Sequence, residues 1–346
     1  MKGNFTSLTE FAQELERRET AKNDFLVDTR KVSMMPDGNS LRIEGAGMFG
    51  INDHAHQQIA ARLQIPKKYY DRMAELPELR ARNVNDWFEN TPEKRMVRTL
   101  DGTARAFLSD RYRPIDDHFI MNAIAPVLYE HQDLQIMSQG LSETHLYLQV
   151  KFPKLQGEVK QGDVVQAGIT LTNSEVGSGA FNIRSMEWVL ACTNGMIGES
   201  LIRKYHVGRR AGNDTEDYDI YADDTIKAEL ESYRLRMRDI LRHALNETAF
   251  NERLLKLRKA DSDKIEKPVG TVENVTKRYF LSEKENESIL TNLMGRGEQP
   301  SRWGLTNAIT ALAHKQENLD RQFEYEKIGS DLIELKPSEW EVLQAS

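Results

Sequence analysis

Between His145 and Met196 the sequence is almost continuously β-compatible and is interrupted only by turns that carry glycine. Three runs stand out: His145 to Phe152, Val164 to Thr172 and Ala180 to Cys192. Short extended runs punctuated in this way read as an antiparallel meander. In the third run the apolar residues are Phe181 and Ile183, then Met186, Trp188, Leu190 and Cys192. That change of parity predicts a bulge near Ser185, because a slip of one residue sends every side chain to the other face.

The flanking segments are mixed. Leu8 to Arg18 reads as a helix that starts at Ser7, with Glu10 completing a capping box. Strands are expected over Phe25 to Met34 and Leu41 to Ile43, joined by the turn Pro36-Asp37-Gly38-Asn39. A helix opens at Asp53, and a poorly periodic one is expected between Tyr69 and Trp87. Arg95 to Ser109 is a hairpin about Asp101-Gly102, the dipeptide that favours a type I′ turn. A helix from Asp116 to His131 carries Pro126 in its interior.

Thr225 to Ala244 places Ile226, Leu230, Tyr233, Met237 and Leu241 on one stripe of a long amphipathic helix. A second helix holds Leu254, Leu255 and Leu257, Val269 to Lys277 reads as a linker, and the rest is helical and acidic. The expected fold is therefore α+β: an antiparallel β-meander core, a long amphipathic helix packed on it, and a helical C-terminal part. The division is 1–268 for the α+β core and 269–346 for the helical part, packed together.

No apolar run approaches the roughly 18 residues that a membrane span needs, and the start lacks the apolar core of a signal peptide. A cytoplasmic location is expected. The single cysteine, Cys192, excludes a disulfide framework or a thiolate metal cluster. It falls on an apolar stripe and reads as a small buried hydrophobe rather than a nucleophile served by His145 or His206. His54 and His56 are two apart on a helix and point to different sides. The acidic run Asp214 to Asp224 lacks calcium-loop spacing. Asn173 to Gly179 has the composition of a phosphate loop but joins two strands, so it reads as a hairpin connection. No catalytic set, metal or cofactor is expected.

Net charge is -7, yet positive charge is concentrated. Lys94 to Arg113 holds six basic and two acidic residues, against seven basic and twelve acidic over Glu283 to Ser346. With a two-residue turn, Thr99 is expected opposite Ala104 and Arg98 opposite Arg105. Two facing arginines repel, so something anionic must lie there, either a carboxylate of the chain or a phosphate. Arg111, Tyr112 and Arg113 follow directly, and Arg184 points away from the core. A second basic stretch holds Arg203, Lys204, Arg209 and Arg210. After Pro300, Trp303, Asn307, Thr310 and His314 form a polar stripe on a helix. It is either a buried network that fastens the C-terminal helices or a ligand-facing surface with Trp303 free to stack on a base.

Four segments carry a resemblance: FGINDHAHQQIAARLQIPKKYYDRM at 49–73, RTLDGTARAFLSDRYRPID at 98–116, ITLTNSEVGSGAFNIRSMEWVLACTNGM at 169–196 and WGLTNAITALAHK at 303–315. Together they resemble the domain-of-unknown-function family numbered nine hundred thirty-two, the phage/plasmid-like proteins. Glu175-Val176 departs from the His-Asp-Gly type of turn expected in that family. The resemblance implies a phage, prophage or plasmid setting in a bacterial cytoplasm and supplies no activity. The layout is also similar to phage single-strand annealing proteins of the radiation-repair superfamily, an analogy of fold alone.

The expected function is thus a homo-oligomeric protein that binds single-stranded DNA in recombination or replication, with Arg98, Arg105, Arg111, Arg113 and Arg184 on phosphates. A continuous basic groove lined by Arg98 and Arg105 would favour it, whereas their pairing with internal carboxylates would sink it. The alternative is a protein-interaction module that occupies a host defence protein through its acidic helices or the Asp214–Asp224 loop.

Overall fold

The computed structural model describes residues 5, 7–190, 194–204, 223–313, 316 and 318–345. Helix α1 (Leu8–Ala21) starts at Ser7, whose hydroxyl accepts the Glu10 amide at 3.1 Å, and buries Phe11 and Leu15. Strands β1 (Lys22–Asp28), β2 (Val32–Met34), β3 (Ser40–Ile43) and β4 (Gly47–Ile51) follow. Then come α2 (Asp53–Arg62), α3 (Lys67–Arg72), α4 (Pro77–Asn90) and the hairpin β5 (Lys94–Leu100) and β6 (Thr103–Ser109). The sheet order is β1-β5-β6-β4-β3-β2. Val32, Met34, Leu41, Ile43, Val97 and Phe107 pack on Ile59, Tyr70, Val84 and Phe88 of the helices.

One expected strand, Phe25 to Met34, is two strands at opposite edges of this sheet. The Asp28 carboxylate takes the Arg30 amide at 3.0 Å and starts a 3-10 turn over Thr29–Lys31. Thr29 is then held by its hydroxyl to the Phe88 carbonyl at 3.0 Å. Strand β4 lies outside the sequence expectation, since Gly47 and Gly50 leave it without alternation.

After α5 (Asp117–Tyr129), five strands form the meander: β7 (Gln135–Leu141), β8 (Leu146–Glu158), β9 (Val164–Asn173), β10 (Phe181–Val189) and β11 (Asn194–Lys204). They lie in the order β11-β10-β9-β8-β7, each antiparallel to its neighbour. Helices α6 (Asp223–Ala244), α7 (Glu247–Ser262), α8 (Pro268–Arg278), α9 (Glu283–Met294), α10 (Arg302–Thr310), α11 (Leu319–Glu334) and α12 (Pro337–Gln344) complete the chain. Leu146, Leu148, Val150, Ile169, Leu171 and Ile183 pack against Ile120 and Ile124 of α5 and Tyr233, Met237 and Leu241 of α6. The long amphipathic helix thus covers the meander. Alternation sends Tyr147 and Gln149 to the other face. There α11 covers them: Tyr147 meets the Phe323 ring at 4.5 Å and donates to Asp320, and the Gln149 amide donates to Glu326.

Because both faces are covered, both parities of β10 are buried, and the expected bulge is not in its pairing with β9. That register runs unbroken from Asn182↔Thr172 to Val189↔Val165. Irregularity falls instead on the β11 side, between Ile183 and Arg184 and between Arg184 and Met186. The expected linker, Val269 to Lys277, is helix α8. Pro268 occupies its first turn, and Val272 and Val275 join a C-terminal core with Ile289, Leu293, Leu305 and Ile309. Its valines and threonines are weak helix formers, and packing overrides them. Cys192 and the stretch 214–222 lie outside the described residues. No helix among the described residues is long and apolar enough to cross a membrane.

Two predictions follow from the packing. A Cβ on Gly168 would lie 2.5 Å from the Val150 carbonyl oxygen, so Gly168→Ala should cost about 1–3 kcal/mol in urea denaturation. Gly50→Ala, with open space around it, should stay within about 0.5 kcal/mol. Glu326 is wholly buried, and burial pushes its pKa up to about 8 against the weaker pull of Gln149 and Gln322. The folded state therefore keeps a proton that the unfolded chain loses. This contribution is complete below the unfolded pKa and is lost as pH rises towards 8, a loss of roughly 4 kcal/mol. Denaturation at pH 5 and pH 8 should show a steeper decline for the wild type than for Glu326→Gln.

Candidate nucleic-acid interface

The hairpin turn forms as expected. Asp101 and Gly102 have φ of 49° and 74°, and Leu100 pairs with Thr103 and Thr99 with Ala104. The register then shifts, so Arg98 stands opposite Ala106 and Arg105 is the extra residue of a bulge. The two arginines do not face each other. The bulge turns both towards the β9–β10 connection, residues 174–180, which is wedged between the two sheets.

Arg98 is 0% exposed. Its Nε donates to Asp24 Oδ1 at 2.8 Å, its Nη2 to Asp116 Oδ1 at 2.8 Å, and its Nη1 to the Glu175 carbonyl at 2.8 Å. Lys22 Nζ holds the other Asp116 oxygen at 2.6 Å. Arg105 Nη2 meets Glu175 Oε2 at 2.6 Å, and Glu175 Oε1 accepts the Asp117 amide at 2.8 Å, a carboxylate on the first turn of α5. Asn173 donates to Asp117 Oδ1 at 2.7 Å and to the Ile115 carbonyl at 2.8 Å. The Tyr112 hydroxyl donates to the Ser174 carbonyl at 3.1 Å. Gln58 Nε2 donates to the Val176 carbonyl at 2.7 Å and its Oε1 accepts the Phe107 amide at 2.7 Å. Gly177 has φ of 78°, and a Cβ there would lie 2.6 Å from Leu108.

Charge settles accordingly. Burial opposes ionisation of Asp116, but Arg98 and Lys22 outweigh it and its pKa lies below the usual carboxylate range. Asp117 is held well above that range by burial and then by the Glu175 charge. Three cations, Lys22, Arg98 and Arg105, thus meet the carboxylates of Asp24, Asp116 and Glu175. Arg95, on the opposite face of β5, pairs with Glu93.

This corrects the expected phosphate contacts. Arg98 and Arg105 are neutralised inside the chain, so the hairpin falls as a binding face by the criterion the sequence set. Tyr112 is buried and cannot stack on a base. Arg111 is half-buried and Arg113 exposed, beyond the hairpin. Arg184 on β10 is half-buried, with Arg203 exposed on β11 opposite its neighbour Asn182. Burial lowers the Arg184 pKa; Asp331 on α11 opposes this and the Arg203 charge adds to it. Lys204 ends β11, and Arg209 and Arg210 lie outside the described residues.

The polar stripe of α10 faces inward. Trp303 is 0% exposed, and its Nε1 donates to Asp163 at 2.7 Å, which excludes base stacking. Asn307 donates to the Trp303 carbonyl at 3.0 Å and Thr310 to the Thr306 carbonyl at 3.1 Å; His314 lies outside the described residues. Sequence reasoning missed Lys22, Asp24, Asp116 and Glu175 as partners. The facing-arginine argument required anions without saying which segment would bring them. No group of three or more His, Cys, Asp or Glu residues among the described ones could hold a metal ion.

If the network is a latch, Glu175→Gln should cost about 3–5 kcal/mol by leaving Arg105 buried and unpaired. Adding Arg105→Gln should then cost little more. A double-mutant cycle by urea denaturation measures this, and a coupling near zero would refute the latch.

The family model described as Domain of unknown function (DUF932) matches residues 105–345, from β6 through the meander to α12. Segment 49–73 precedes that stretch. No curated protein and no solved structure matches the chain. The matched stretch takes in more than half of the sequence, and the chain belongs to the Domain of unknown function (DUF932) family.

Proposed function

We propose that the chain binds single-stranded DNA along the β10–β11 edge of the meander, as a factor in phage or plasmid recombination or replication. One observation carries this reading. Arg184 is half-buried, has no carboxylate within ion-pair distance among the described residues, and sits beside the like charge of Arg203. Its one protein acceptor among the described bonds is the Gly198 carbonyl at 3.4 Å. A half-buried guanidinium held beside a like charge gains from an added anion, and a phosphate backbone is one. Lys204, Arg209 and Arg210 extend the same positive stretch along the sequence. Assembly of several copies would align this edge along one strand.

The acidic alternative gains less. In the C-terminal part Glu285, Glu298, Glu334 and Glu339 are already engaged by Arg321, Lys160, Lys256 and Arg278. A host protein partner would have to use what is left.

The test is binding of an unstructured oligonucleotide as salt is varied. Arg184→Gln with Arg203→Gln should weaken binding and flatten the log–log salt slope by roughly 1.4, about 0.7 for each lost phosphate contact. Absence of any complex at low salt would overturn the reading.

A further inference from the structure

Five arginines are buried among the described residues: Arg80, Arg95, Arg98, Arg105 and Arg302. Four meet a carboxylate: Glu93 for Arg95, Asp24 and Asp116 for Arg98, Glu175 for Arg105, and Asp263 for Arg302. Arg80, 6% exposed on the first turn of α4, has none within ion-pair distance among the described residues. Its Nη2 donates to the neutral Asn39 amide oxygen at 2.7 Å, its Nε has no partner, and its guanidinium lies 5.6 Å from the Tyr70 ring centre. Asp37 feels the Arg80 charge through space, but a buried cation with no paired counter-ion is still costly, because the protein has removed its water.

Arg80 lines a cleft of about 570 Å³ between α2, α3 and α4. His56, 9% exposed, lines it too. Its Nδ1 lies 2.8 Å from the Tyr70 hydroxyl and its Nε2 is buried without a partner. When the Tyr70 hydroxyl donates to Nδ1, Nε2 carries the hydrogen and becomes a donor. Burial, then the Arg80 charge, brings the His56 pKa down to about 4, so near pH 7 the ring is neutral. Asp53 and Asp71 share the rim, and Lys67 is paired with Asp71. The cleft exceeds a lone inorganic ion, and Ala60, Ala61 and Ile65 give it an apolar wall.

We infer that this cleft binds a small organic anion, whose carboxylate or phosphate group is held by Arg80 with His56 Nε2 as second donor. The site lies before the family-matched stretch and owes nothing to the DNA reading. With Lys67 paired to Asp71, the cleft supplies Arg80 as a charged donor without a paired carboxylate, one neutral donor and an apolar wall, which suits a headgroup with a short body.

The experiment uses the full chain at constant ionic strength. Glycerol 3-phosphate, succinate and inorganic phosphate are titrated while the thermal midpoint and the His56 imidazole nitrogen resonances are followed. A saturable rise in midpoint with a shift at Nε2 is expected for at least one organic anion. The ester saturating first assigns a phosphate headgroup, and succinate first assigns a carboxylate. Arg80→Gln should weaken binding by about thirtyfold or more while the unliganded chain stays at least as stable, since an unpaired charge is removed. Tyr70→Phe, which frees His56 to rotate, should weaken it less. No saturable response in the wild type, an unchanged response in Arg80→Gln, or saturation by inorganic phosphate alone would overturn the inference.

Discussion

A guanidinium sealed from water must be met by the protein on every side, and Arg98 is met by three segments far apart in sequence. Asp24 comes from an edge strand, Asp116 from the start of α5, and the Glu175 carbonyl from the β9–β10 connection. Desolvating such an ion costs several kcal/mol, which is recovered only when all its partners are in place. The two sheets therefore have one mutual position at which this charge is satisfied. Glu175 fixes that position a second time, by holding Arg105 with one oxygen and the first turn of α5 with the other. Specificity of docking, more than gross stability, is what such a network supplies.

Much of the architecture was legible in the sequence because it is written locally. Asp101-Gly102 forms the turn its dipeptide favours, the three long strands are β-compatible runs bounded by turns, and Tyr233, Met237 and Leu241 recur at helical spacing. What stayed hidden is non-local. Nothing around Thr29 tells that Leu26 and Met34 will sit at opposite edges of one sheet, since the strands between them come from residues 40 to 109. Strand β11 lacked a readable pattern because its neighbours cover both of its parities.

The candidate site shows the same limit from another side. Facing arginines on one hairpin implied an anion; the two do not face each other, yet carboxylates of the chain meet both. Identifying the anion as Glu175 needed the fold, because the separation is 70 residues from Arg105. The bulge at Arg105 was equally out of reach, since turn chemistry sets the register only for the first two pairs. Arg80 gave no sequence signal at all: a single arginine in an amphipathic helix looks like any solvated cation, and only its burial singles it out.

The wedge between the sheets also imposes an order on synthesis. Arg98 leaves the ribosome 77 residues before Glu175, and at about 5–20 residues per second the gap lasts roughly 4–15 seconds. During that interval Asp24 and Asp116 are already made and can meet Arg98, but Arg105 lacks its Glu175 carboxylate and Ala106 and Leu108 lack Val176. One buried cation, Arg105, thus has to wait for its counter-ion while the chain is still being made. The finished protein hides that history inside its own joint.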